Sequence, residues 1–116
     1  MLPLGHKQEQ VYQQAIILTK EIYRITMLFP DTERAVLVYG LRRTAVLLCQ
    51  HIALSSFKRN GKRRRIYKAA AAACIDLDTQ LELAIAVQLL TGEEAGDTFN
   101  YLESIYKHLT ALIESV

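Results

Sequence analysis

Apolar residues recur along this chain at intervals of three and four, and no segment alternates between apolar and polar as a half-buried strand does. Near the start, Val11, Ala15, Leu18, Ile22, Ile25 and Phe29 form a continuous heptad-like seam. The seam predicts a first helix over roughly residues 6–29, ended by Phe29-Pro30 because proline disfavours helical geometry in the residue before it. Asp31 or Thr32 is then placed to cap a second helix over roughly residues 32–56. There Val38, Leu41, Ala45, Leu48 and Ile52 form one seam, while Val36, Leu37, Leu47 and Leu54 lie off it. Between Ala35 and Leu54 the only charges are the adjacent Arg42 and Arg43. A helix apolar over so much of its circumference is buried on several sides. A four-helix bundle leaves each helix one wet face, so the surplus predicts burial against another subunit.

Asn60-Gly61 is a strong turn signal, and the third helix is predicted from about residue 62 to residue 90, where Thr91-Gly92 stops it. It contains the run Ala69–Ala73, which has high helix propensity and little bulk and so permits close approach of a neighbouring helix. Cys74, Leu77, Leu81 and Ala84 continue its seam, with Asp76, Asp78 and Glu82 on other faces. A fourth helix, about residues 95–115, repeats Phe99, Leu102, Tyr106, Leu109, Ile113 and Val116. Four long helices with short connections predict an all-α fold, one antiparallel up-down-up-down four-helix bundle spanning residues 1–116.

Composition agrees with a single helical domain: 116 residues, 51% hydrophobic, five Gly and two Pro. No apolar run reaches the roughly 18 residues that span a bilayer. The opening MLPLGHKQEQ lacks the basic start, apolar middle and cleavage site of a secretory signal, so the expected address is the cytoplasm, with no membrane partner. Cys49 and Cys74 are too few for a disulfide framework and read as packed thiols.

Charge changes the picture more. The formal net charge of +2 conceals the stretch FKRNGKRRRIYK at residues 57–68, which holds seven basic residues and no acid; the remainder has seven basic against twelve acidic residues, or −5. Lys58, Arg59, Lys62, Arg63, Arg64, Arg65 and Lys68 are expected around a turn flanked by Phe57 and Tyr67. Phosphates attract such a cluster through Coulomb forces and counterion release, and Tyr67 is a candidate platform for stacking unpaired bases. The blander alternative is a solvated loop, or one that pairs with the acidic surface of another subunit.

Other chemistries find little support. Gly61-Lys62 lacks the earlier Gly and the following Ser or Thr of a phosphate loop, those positions being Ser56 and Arg63. Cys49 and His51, two apart on a helix, diverge and are poorly placed to chelate one ion, so His51 reads as a satisfied helix histidine. His6 and His108 have no ligands at chelating spacing. Ser55-Ser56 sits on no nucleophile elbow, Asp76/Asp78 and Glu93/Glu94 point apart, and no Glu-x-x-His occurs. No catalytic residue, metal ligand or cofactor is predicted, and the chain does not read as an enzyme.

The segments FPDTERAVLVYGLRRTAVLLCQHIA and DLDTQLELA resemble the bacterial four-helix bundle family that includes proteins encoded in intervening sequences of 23S ribosomal RNA genes. The resemblance spans roughly residues 8–115 and rests on Phe29-Pro30, Leu41-Arg42-Arg43 with Ala45, Ile52-Ala53, and Leu77, Thr79 and Leu81. It implies a homopentamer, and related proteins serve as accessory factors of diversity-generating retroelements, binding a reverse transcriptase and nucleic acid. Two stretches depart from the family: its Asn-Ile-Ala-Glu-Gly is His51-Ile52-Ala53-Leu54-Ser55 here, and its Gly-Ser is Ala72-Ala73. Arg43 matches the family's retained Arg and reads as an ion-pair partner, within the helix or between subunits, or as a nucleic-acid contact. With Leu47 and Leu54 it marks the expected oligomer interface.

Charge and resemblance together predict a non-catalytic homo-oligomer that binds RNA or DNA through a basic hairpin between the second and third helices. The alternative is a protein-interaction scaffold or accessory subunit, for example of a retroelement reverse transcriptase, with incidental nucleic-acid affinity.

Overall fold

The seams close on one another. In the computed structural model, which describes all 116 residues, the chain forms α1 (Gln10–Thr26), α2 (Tyr39–Ser55), α3 (Asn60–Ala86) and α4 (Gly96–Ser115), with no strand. Each helix packs on the next and α4 returns to α1, forming a four-membered ring of helices around one core. Three contacts order α1 against α2: His6 near Phe57, Thr19 Oγ1 3.3 Å from Cys49 Sγ, and Thr26 Oγ1 2.9 Å from Arg42 Nε. Positions rise along one helix as they fall along the other, so the two are antiparallel. Gln14 bonding Ser104 and Arg24 lying near Asp97 show the same for α1 and α4. No helix is long and apolar enough to cross a membrane.

The seams predicted for the first three helices are buried from Val11 to Phe29, Val38 to Ile52 and Cys74 to Ala84. In α4 the expected stripe holds at Phe99, Leu102, Leu109 and Ile113, which are buried or packed against the core, and fails at two positions. Thr98, Leu102, Ile105 and Leu109 face inward, while Tyr106 and Val116 of the expected stripe are exposed. Both stripes share Leu102 and Leu109, and the one chosen keeps the Tyr106 hydroxyl at the surface.

Helix ends depart further from expectation. A short 3₁₀ turn, Gly5–Gln8, precedes α1, and α1 ends at Thr26, three residues before Phe29. Neither Asp31 nor Thr32 caps a helix; residues Asp31–Glu33 form a 3₁₀ turn and Arg34–Val38 a wide π turn before α2 begins. The Asp31 carboxylate is instead held by Arg34 at 3.0 Å. α3 stops four residues before the predicted end. Gln88 adopts a left-handed φ of 67°, and the Leu89 and Gln88 N–H groups donate to the Ala84 and Ile85 carbonyls. That is the Schellman closure usually built on glycine, with glutamine in the left-handed position.

Candidate nucleic-acid interface

The basic stretch is not a hairpin loop. Only Ser56–Arg59 connect α2 to α3, and Lys62, Arg63, Arg64, Arg65 and Lys68 lie on the first turns of α3 itself. Asn60 makes the turn with φ of 53°, a left-handed conformation that asparagine tolerates. Extended backbone at Arg59 leads into the helix, and no side chain caps it. The N–H groups of Asn60, Gly61 and Lys62 consequently find no partner in the chain. An uncapped helix N-terminus directs free N–H groups and a partial positive charge outward, and it favours anions.

The seven cations add to that field. Six are exposed and Arg63 is half-buried, and none is ion-paired; the chain's three ion pairs are Glu21–Arg24, Asp31–Arg34 and Glu103–Lys107. Cations within the first turn oppose the helix dipole, at a cost of about 0.3–1 kcal/mol each. Apart from Arg63, which bonds the Tyr67 hydroxyl, none of them makes a side-chain hydrogen bond or ion pair within the chain to offset that cost.

Tyr67 is not the stacking platform expected of it. Its side chain is 1% exposed in the core, where α3 packs against its neighbours. The Tyr67 hydroxyl accepts a bond from Arg63 Nε at 3.1 Å, and the guanidinium carbon lies 5.6 Å from the ring centroid. Tyr67 thus holds one cation in place. The aromatic ring open to solvent beside the cluster is Phe57, 57% exposed, whose inner edge meets the buried His6 ring. Periodicity contained this signal, since Tyr67 lies three and seven residues before Ala70 and Cys74 of the buried face.

A second region lies on α2. Arg43 and Leu47 line a shallow groove of about 410 Å³ with Tyr23, Arg34, Tyr39 and Val46, and Leu54 continues the same helix face two turns on, 46% exposed. Arg43 makes no ion pair within the chain, so the intrahelical alternative is not realised. Its neighbour Arg42, absent from the expected site, is the anchored one: Nε donates to Thr26 Oγ1 at 2.9 Å, and the guanidinium lies 4.5 Å over the Tyr23 ring. The Val38–Ile52 seam places Arg42 at the flank of the buried face and Arg43 opposite it; that Tyr23 and Thr26 of α1 lie within reach of Arg42 is decided by the packing of the two helices.

The remaining candidates take structural places. Burial pushes the Cys74 thiol up to about 12, and burial also raises Cys49, against a hydrogen bond to Thr19 that lowers it. Both are packed thiols. His51 is half-buried, and its ring makes no hydrogen bond within the chain.

No curated protein matches the sequence. Residues 7–111 match the family described as 23S rRNA-intervening sequence protein, and with its four-helix fold the chain belongs to that family.

Proposed function

We propose that this member of the family is a non-catalytic, cytoplasmic homo-oligomer that binds RNA or DNA through the cationic start of α3. The observation that carries this reading is the set of seven unpaired cations gathered at an uncapped helix N-terminus, an arrangement unfavourable to the isolated helix. A polyanion supplies the missing negative charge and releases counterions as it binds. Assembly strengthens the effect. The α2 face bearing Arg43, Leu47 and Leu54 is the proposed subunit contact, and a pentamer would repeat the patch around a ring, giving avidity along one polyanion.

A second reading, favoured by the exposed apolar residues of α2, makes that face the seat of another protein, such as a reverse transcriptase, with nucleic-acid affinity incidental.

Titration against single-stranded RNA, structured RNA and duplex DNA at several salt concentrations tests the first reading. The wild type is compared with Lys58→Glu/Arg59→Glu/Lys62→Glu, and the mass in solution is recorded alongside. Affinity should fall steeply with salt and drop ~100-fold or more in the variant at unchanged mass. Equal, negligible binding by both proteins would sink it and leave the protein-partner reading.

A further inference from the structure

α3 carries its charges in two blocks. Lys62, Arg63, Arg64, Arg65 and Lys68 precede the alanine run, and Asp76, Asp78 and Glu82 follow it. At 3.6 residues per turn, the ridge opposite the buried Tyr67, Cys74, Leu77 and Leu81 runs Arg65, Lys68, Ala72, Ile75, Thr79 and Glu82. All six are exposed, and neither Arg65, Lys68 nor Glu82 has an ion-pair partner in the chain. The middle of the ridge is slim and apolar, a single methyl at Ala72 beside an Ile75 that is 54% exposed.

A ridge with two cations at one end, an acid at the other and an apolar centre is complementary to its own reversed copy. We propose that the outer face of α3 is a two-fold self-association surface, on which the same face of a second copy packs antiparallel. Centring the pair between Ala73 and Cys74 sets Ala72 beside the partner's Ile75, Lys68 beside the partner's Thr79 and Arg65 beside the partner's Glu82. The two-fold symmetry makes each contact twice. Parallel packing would place cation block on cation block, whereas the antiparallel arrangement pairs unlike charges and opposes the two helix dipoles. The small residue at the centre lets the helix axes approach to the usual packing distance.

This surface is separate from the α2 face and leaves Lys58, Arg59 and Lys62 free for a polyanion. It stands whether or not nucleic acid binds.

The test uses two variants of the full chain, Arg65→Glu and Glu82→Arg, each shown by circular dichroism and thermal unfolding to keep its fold. Sedimentation velocity at low salt follows mass over a concentration series, with one variant carrying a size tag. Each variant alone sets like charges together at both copies of the contact, and its two-fold association should weaken by about tenfold or more. An equimolar mixture restores unlike charges at both contacts, because the two introduced groups face each other and the two native groups face each other. The mixture should therefore recover the wild-type association as a mixed species. Masses that are the same in the wild type and both variants, or a mixture that behaves as the sum of its parts, would overturn the proposal. Assembly through α2 alone gives the first of these outcomes and leaves the α2 contact intact.

Discussion

The two ends of α3 are built in opposite ways. At its C-terminus the chain satisfies itself: Gln88 turns left-handed, Leu89 and Gln88 donate back to the Ala84 and Ile85 carbonyls, and Thr91 and Glu94 exchange bonds of 2.9 and 3.0 Å before α4 begins. This is a reciprocal capping box, and its hydrogen bonds from Thr91 hold the Glu94 carboxyl below the usual range. At its N-terminus three N–H groups are free, no side chain caps the helix, and like charges crowd together. The contrast separates what the fold needs from what it tolerates. An end that closes on itself serves stability, and an end left open with an adverse field is available to a partner.

The largest effect expected at the open end comes from the one residue there that belongs to the core. Tyr67→Ala should cost about 3–5 kcal/mol in denaturant unfolding, the range for emptying a buried aromatic site, and Tyr67→Phe about 1 kcal/mol for the lost Arg63 bond. Equal, small losses would mean that Tyr67 faces solvent and stacks bases after all. Next in size, Arg59→Asp supplies the missing cap and removes an adverse charge. It should stabilise the protein by about 1–2 kcal/mol while weakening salt-sensitive nucleic-acid binding. A gain in stability with no loss of affinity would break the link between the open end and its proposed partner.

At the closed end, Gln88→Gly relieves a left-handed non-glycine residue and should add about 1 kcal/mol. A loss instead would show that the glutamine side chain contributes more than its backbone strain costs. The smallest effect concerns Glu94, whose carboxyl titrates below its ordinary value of 4.5. Its contribution is complete above that value and is lost as pH falls through the depressed one. Glu94→Gln should therefore unfold at a lower temperature than wild type at pH 7, with the gap narrowing toward pH 3. A gap independent of pH would assign the effect to lost geometry, not to the carboxylate.

Much of the fold was legible from spacing. The Val11–Phe29, Val38–Ile52 and Cys74–Ala84 seams were read correctly because a buried helix face imposes its period on the chain whatever it packs against. The cationic cluster was equally plain, since charge density is a local property of the sequence. Properties that depend on what a facing helix offers were not. Ile105 rather than Tyr106 faces inward, and Arg42 rather than Arg43 is anchored because Tyr23 and Thr26 of α1 lie within its reach; Tyr67, expected to stack bases, points into the core, which its spacing from Ala70 and Cys74 already indicated. The first two are choices between residues one position apart, settled by the groups the neighbouring helix brings within reach. The end of α3 at Gln88 and the π turn before α2 were hidden for a related reason: both are non-standard backbone geometries carried by ordinary residues. Local pattern establishes that four helices form and where charge concentrates. Which groups meet across the helices, and with that which stay unpaired, emerges only when all four seams are packed together.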